Sequence, residues 1–221
     1  DKVILNKLEK TISQIIIAEA MILMGYVTSL FIDKYNLAAA FRVQKLNCNP
    51  SEILERYKDS EIKYIILKQY MGRSYITTKP GIHESLGLEM YVQCTSPLRR
   101  YLDLIIQRQV YNEINNYEIL SKDSVSKIID YSKNRQIENN NIFKNDKFKY
   151  LKLFFKNERK PFYKIIFVKW INHKKNIALV YFPDYSLEIL ITLFVSIEIY
   201  SNKIYKVKYI INDSNLLEFI Y

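Results

Sequence analysis

The sequence predicts an α+β protein, with helices and short strands over residues 1–158 and a small β-barrel over residues 159–221. Three observations carry that expectation. Nearly half of the 221 residues are hydrophobic, enough to bury one good core or two smaller ones. Up to about residue 158 the apolar residues recur mostly at helical spacing, broken by a few extended stretches. Beyond Lys160 and Pro161 the period changes to short alternating runs rich in β-branched and aromatic residues.

The first helix is expected from about Ile4 to Asp33. Within it, IIIAEAMILMGYVTSLFI (Ile15 to Ile32) carries a single charge, Glu19. A membrane span needs about 20 apolar residues, and a carboxylate in mid-bilayer costs on the order of 3 kcal/mol. The stretch therefore reads as a buried helix of a soluble protein with no membrane partner, and Glu19 becomes a carboxylate that must find a partner or line a cleft. AAAFRVQK reads as extended. Asn49, Pro50 and Ser51 cap a short helix, SEILERYKD, and EIKYIILKQYM makes another. RSYITT is strand-like and KPG is a turn. Pro97 to about Asn116 reads as helix, and Asp123 to about Phe155 as one long polar-faced helix.

The strands expected after Pro161 are FYKIIFVKWI, NIALVYF, LEILITLFV, IEIYS and KIYKVKYII, with a turn at Pro183 and Asp184. Such a run of short strands suggests a small barrel, of which the OB-fold is the basic, aromatic-rich, nucleic-acid-binding example. Phe162, Tyr163, Tyr181, Tyr185 and Tyr205 could stack bases there or pack in the core. The four glycines, Gly25, Gly72, Gly81 and Gly87, all lie outside this region. A barrel normally uses glycine at its bends, so this one is expected to be degenerate or purely structural.

The formal net charge of +10 is concentrated. Between Lys133 and Lys175 stand thirteen Lys or Arg against three acids, whereas residues 1–130 carry a net charge of only +2. That window, with Lys147, Lys149 and Lys152 near its middle, reads as a polyanion-facing surface; the alternative is drift towards lysine codons. The two cysteines, Cys48 and Cys94, form no C-x-x-C pair, which excludes a disulfide framework and a zinc site of that kind and suits a reducing, cytoplasmic setting.

The segment QCTSPLRRYLDL (Gln93 to Leu104) places two arginines just after a helix-start signal. Ser96 can cap free amides, and proline suits the first helical position. A helix N-terminus is partially positive, so Arg99 and Arg100 are unfavourable there unless an anion is present. Free amides and guanidinium forks in one place describe a phosphate site. On this reading Asp103 holds Arg99, and Leu98, Leu102, Ile105 and Ile106 form the buried face. The alternative is a surface helix whose Arg/Asp pairs serve solubility.

YVQCTSPLRRYLDLIIQRQ (Tyr91 to Gln109) resembles the signature of the ribonuclease II/R (RNB) exoribonuclease family, Thr-Ser-Pro-hydrophobic-Arg-Arg/Lys-Tyr-x-Asp with a later arginine. AEAMILMG, FRVQ and RSYITTKPGIHESLGLEMY resemble family elements in the same order. The similarity covers about Ile12 to Arg108, and the family continues with a long helix and an OB-fold RNA-binding domain. The resemblance implies hydrolytic 3′ to 5′ degradation of single-stranded RNA to nucleoside 5′-monophosphates, with Mg²⁺ held by clustered aspartates. It maps the scissile-phosphate arginine onto Arg99 and the glutamate near the 3′-terminal ribose onto Glu19. It places Arg100, Tyr101 and Arg108 at family positions and His83 in the loop beside the site, either touching RNA or simply hydrogen-bonded within the loop.

The resemblance has departures. Gly25 stands where the family usually has Asn, and Gln107 where it often has His. Two-metal hydrolysis needs carboxylates converging on ions about 4 Å apart. The aspartates here, Asp1, Asp33, Asp59, Asp103, Asp123, Asp130, Asp146, Asp184 and Asp213, form no tight sequence cluster. The expectation is therefore the C-terminal part of the catalytic domain of such an enzyme, a monomer whose Mg²⁺ ligands lie outside this chain and which is inactive alone. The alternative is a non-catalytic RNA-binding module.

Overall fold

The computed structural model describes residues 3–5, 11–195, 198–210 and 217–221. The chain divides into a helical unit, Lys10–Pro50 with Lys68–Asn139, and a barrel unit, Asp1–Glu9, Ser51–Leu67 and Asn140–Tyr221.

In the helical unit, α1 (Ile12–Lys34) begins at a capping box. The Thr11 hydroxyl accepts from the Gln14 amide while the Gln14 side chain accepts from the Thr11 amide. This corrects the expected start at Ile4. Residues 3–5 are not helical, residues 6–10 lie outside the described residues, and Val3 and Leu5 pack against the barrel core instead. The expected burial of α1 is also corrected. Only Gly25, Thr28, Ser29 and Ile32 are buried, whereas Ile12, Ile15, Ile16, Ile17, Leu23 and Met24 are exposed. A helix apolar on every side carries more apolar surface than this unit covers.

Strand β1 (Phe41–Val43) pairs antiparallel with β2 (Tyr75–Thr77), placing Arg42 opposite Ile76. On its other side Phe41 bridges Val92, so β1 lies between β2 and the segment that leads to the arginines. α4 (Tyr101–Ile114) and the first part of α5 (Lys122–Glu158) complete the unit. Its core gathers Ile32, Phe41, Val92, Cys94, Ile105, Ile106 and Val125. The fully buried Gln109 ties two loops to this core: its amide donates to the Ala38 and Leu120 carbonyls, both at 3.0 Å, and its oxygen accepts from the Leu120 amide at 2.8 Å.

The two short helices form as expected, α2 at Pro50–Arg56 and α3 at Lys63–Tyr70. The barrel strands are β3 (Tyr163–Asn172), β4 (Ile177–Phe182), β5 (Leu187–Phe194), β6 (Ile204–Ile210) and β7 (Glu218–Ile220). They close in the order β3-β4-β5-β7-β6, with β6 returning to β3. Every pairing is antiparallel except β5 with β7. IEIYS is not a strand at Glu198–Tyr200, and Ile197 lies outside the described residues.

The barrel closes although it contains no glycine. The left-handed turn positions that glycine would occupy are taken by Asn176 (φ 53°), Ser186 (φ 49°) and Asn202 (φ 63°). Asparagine tolerates this region because its short amide can hydrogen-bond locally. At the end of α5, Phe155 plugs the barrel, its ring 5.0 Å from Tyr163, 5.4 Å from Phe182, 5.5 Å from Tyr209 and 5.3 Å from Phe219. Nearby, the Tyr185 hydroxyl donates to Glu158 at 2.6 Å and accepts from Lys160 at 2.8 Å. Burial and the Glu158 bond push the Tyr185 phenol up to about 12. Of the candidate stacking aromatics, Tyr163 is core, Tyr185 is held in this clasp, and Tyr205 accepts from the Tyr200 amide; Phe162 is exposed.

Candidate functional site

The arginine segment is positioned from below by α1. A Cβ on Gly25 would lie 2.4 Å from both the Tyr91 ring and the Val92 carbonyl oxygen, so only glycine permits this approach. The Ser29 hydroxyl donates to the Met90 carbonyl at 3.3 Å, and the Thr28 hydroxyl meets the Cys94 thiol at 3.5 Å. Gln107 donates from its amide to the Cys94 carbonyl at 2.6 Å. The two departures from the family pattern, Gly25 and Gln107, thus both brace the segment entering the arginines.

The expected helix start is corrected. Residues 97–99 form a turn, and α4 begins only at Tyr101, with Arg100 as an extended N-cap (φ −129°, ψ 107°). The reason is Asp103, 1 % exposed. Its Oδ2 accepts from the Ser96 amide at 2.9 Å, from Arg100 Nε at 2.9 Å and from Arg100 Nη2 at 2.8 Å. One buried carboxylate therefore closes the Ser96–Arg100 turn. Asp103 holds Arg100 rather than Arg99, and Leu98 is fully exposed rather than part of a buried face.

The consequence is a division between adjacent arginines. Arg100 is half-buried and pinned, whereas Arg99 is exposed at the tip of the turn, in no ion pair with the described residues. Tyr101 and Arg108 are exposed on α4, and Glu19 is exposed in the apolar half of α1. Glu19 lies six residues before Gly25, about 9 Å along the helix. His83 is buried, with Nδ1 3.3 Å from the Ser85 hydroxyl and its ring edge-on to Tyr91. Burial, then the neighbouring Arg42 charge, pushes the His83 imidazole below its ordinary value.

Sequence reasoning passed over Arg42. Its Nη1 donates to Gln93 Oε1 at 2.5 Å and its backbone amide to the Tyr91 carbonyl at 2.8 Å. Its Nε is buried without an acceptor among the described residues. FRVQ was a visible part of the family resemblance, and an arginine on a strand bounded by Phe41 and Val43 was the available signal.

In the barrel unit, Lys147 and Lys149 are exposed on α5 and Lys152 is half-buried. Asn145, Phe148, Lys149 and Lys152, spaced as one helical stripe, line a groove. Among the described residues no three His, Cys, Asp or Glu side chains gather where they could share a metal ion. The described residues therefore do not fit a Mg²⁺ site.

An arginine turn locked by a buried carboxylate and a guanidinium held on a strand thus stand in a chain that also carries a closed five-strand barrel. The family model of the RNB domain matches residues 1–116, and the chain belongs to the RNB family of ribonucleases. A ribonuclease of Synechocystis is 37 % identical over 103 residues, which is 46 % of this chain and 16 % of that protein. The mitochondrial exoribonuclease II of Saccharomyces cerevisiae is 30 % identical over 118 residues, 48 % of this chain and 12 % of that one.

The fold is likewise that of solved members. A Dss1 exoribonuclease active-site mutant from Candida glabrata superposes with TM-score 0.77 and 16 % identity over 97 % of this chain and 29 % of that one. Mycoplasma genitalium RNase R in complex with ribose-methylated single-stranded RNA gives 0.75 and 16 % over 97 % and 42 %. Yeast Ssd1, a pseudonuclease, gives 0.57 over 86 % and 28 %. The chain thus spans less than half the length of each of these proteins.

Proposed function

We propose that this chain is the RNA-gripping part of a hydrolytic 3′ to 5′ exoribonuclease that acts on single-stranded RNA and releases nucleoside 5′-monophosphates. The observation that carries this reading is the division between the arginines. Asp103 fixes the turn through Arg100 and leaves Arg99 presented to an anion. Arg99 is the residue proposed at the scissile phosphate, where charge develops during attack and a fixed guanidinium fork stabilises it. Glu19 is proposed near the 3′-terminal ribose, and Tyr101, Arg108 and His83 around the RNA end. The carboxylates that would hold Mg²⁺ are proposed to come from sequence outside this chain.

Residues 1–158 are proposed as the C-terminal portion of the catalytic domain, and residues 159–221 as the OB-like RNA-binding domain. Lys147, Lys149 and Lys152 are proposed to track the RNA backbone, with Phe143 and Tyr150, both exposed among the α5 lysines, available to stack bases. The α1 helix is long and apolar enough to span a bilayer by length and composition. Its capping box and the buried Thr28 and Ser29 support a protein covering for it instead. A monomeric parent in the cytoplasm, a reducing setting suited to the free Cys48 and Cys94, completes the reading.

The test uses labelled poly(A) with Mg²⁺ or Mn²⁺. The 221-residue chain alone releases no mononucleotide, and the same chain joined to an aspartate-bearing RNB segment does so. In that active form Arg99→Lys lowers kcat by roughly 10² or more with RNA binding nearly intact. Release by the short chain that Arg99→Ala abolishes would overturn the reading. The second reading, a non-catalytic RNA-binding module, draws on the basic stretch of α5 and the likeness to a pseudonuclease. It predicts salt-dependent RNA binding with a log–log slope of about −0.7 per phosphate neutralised, and no activity in any longer form.

A further inference from the structure

We propose that Arg42 and Arg100 form a second phosphate site behind Arg99, taking a backbone phosphate of the bound RNA with Gln93 as a neutral companion. The inference rests on the RNA-binding reading above and adds a residue to it.

Arg42 stands in the middle of a small sheet, between β2 and the Tyr91–Gln93 segment, with Phe41 and Val43 buried on either side of it. Its backbone amide and Nη1 are both tied to that segment, through the Tyr91 carbonyl and Gln93 Oε1. The guanidinium is therefore carried on rigid backbone and aimed by a hydrogen bond, not left on a flexible surface arm. A guanidinium has five donors in a fixed fork. Here the Nε donor is shielded from water and has no acceptor among the described residues.

Leaving a buried cation's donor unmade is costly unless an anion answers it. The acid available to the cluster is already engaged. Asp103 Oδ2 receives Arg100 Nε, Arg100 Nη2 and the Ser96 amide, so its hydrogen bonds go to Arg100 and the turn, while its charge acts on Arg42 only from a distance. Two guanidinium groups thus share one carboxylate, with Arg99 exposed beside them. Burial and the neighbouring positive charges act together on the titration of this cluster. Arg42 itself is held below its ordinary value, by burial first and the Arg100 charge second, and His83 is pushed down by burial and then by Arg42. A tetrahedral phosphate answers both deficits: it accepts from planar forks and supplies the missing charge.

The test is a titration of the full 221-residue chain with ¹⁵N-labelled arginine, following the Nε–Hε signals of Arg42, Arg99 and Arg100, assigned with single Lys variants. Two arms are run: inorganic phosphate alone, and a short single-stranded oligoadenylate. The expected result is that the Arg42 and Arg100 signals move together in both arms, at a far lower concentration of the oligonucleotide. Arg42→Lys, which keeps charge but loses Nε and the fork, should weaken oligonucleotide binding about tenfold.

An Arg42 signal unmoved by either ligand, while Arg99 responds to the oligonucleotide, overturns the proposal. A response to inorganic phosphate only would assign the site to free phosphate and overturn its RNA role. Should Arg42→Lys fail to fold, the wild-type titration decides alone. Because it reads binding, a parent without nuclease activity leaves this test intact, and an unmoved Arg42 leaves the exoribonuclease reading intact.

Discussion

The two units of this chain are built on opposite principles. The barrel unit buries an almost wholly apolar interior, with Phe155, Tyr163, Phe182 and Phe219 packed ring on ring, and Thr192 is its one buried polar side chain among the described residues. The helical unit buries Thr28, Ser29, Gln44, His83, Asp103, Gln109 and Asn112, and among the described residues it holds both buried side-chain polar atoms that lack a partner, Arg42 Nε and Ser132 Oγ. It also leaves the apolar front of α1 exposed.

Apolar packing is non-directional and specifies closure, whereas buried hydrogen bonds are directional and specify where a particular group sits. The barrel spends its sequence on closing. The helical unit spends stability on holding one turn, and that turn carries the arginines. The unit with the more polar interior is the one that carries the arginine turn.

The contrast can be broken most severely at Phe155. Phe155→Ala removes the ring that packs against Tyr163, Phe182, Tyr185, Tyr209 and Phe219 and should cost about 3–5 kcal/mol. Trp170 is the only tryptophan and lies on β3, so its fluorescence in a urea titration reports on the barrel directly. A loss under about 1 kcal/mol would mean that the barrel closes without its plug.

Next in size is Asp103→Asn, which keeps the shape but removes the charge that neutralises Arg100. Breaking a buried pair costs about 3–5 kcal/mol, and because Arg100 keeps part of its side chain in water the expected loss is nearer 2–3 kcal/mol. The informative readout is the Ser96 amide. Its hydrogen exchange should accelerate by more than the global loss of stability explains, because the turn itself opens. If exchange tracks global stability alone, the carboxylate is only one more core contact.

The smallest effect sharpens the comparison through pH. His83 in the folded chain is held below its ordinary value by burial and by Arg42. As pH falls, the unfolded chain takes up the proton first, near 6.5. The contribution from neutral His83 is thus complete above that pH and is lost as pH falls towards the lowered folded value. His83→Gln should flatten this shallow acid limb in melting curves between about pH 7 and 5. An unchanged limb would place the titration elsewhere.

Several features were legible from the chain alone because they are local. The long α5 and the strands β3 to β6 follow from apolar period and length, and the RNB resemblance from contiguous residues such as Tyr91 to Gln109. β7 was not legible: three residues are too few to show alternation, and its parallel pairing with β5 joins segments separated by β6. The glycine-free turns were hidden for a different reason, because Asn176, Ser186 and Asn202 adopt the left-handed backbone without announcing it by composition.

What the sequence by itself determined was the list of groups: an α+β order of elements, a basic stretch from Lys133 to Lys175, and two adjacent arginines after Thr-Ser-Pro. Only the tertiary structure decided how those groups divide their work. Spacing allowed Asp103 to reach either arginine, and its choice of Arg100 came from the Ser96 turn, whose amide needed the same oxygen. The apolar flanks of FRVQ marked Arg42 as a strand residue, but they could not show that its Nε lacks an acceptor among the described residues. A hydrogen-bond deficit is a property of everything packed around an atom, and it exists only once distant segments have been brought together.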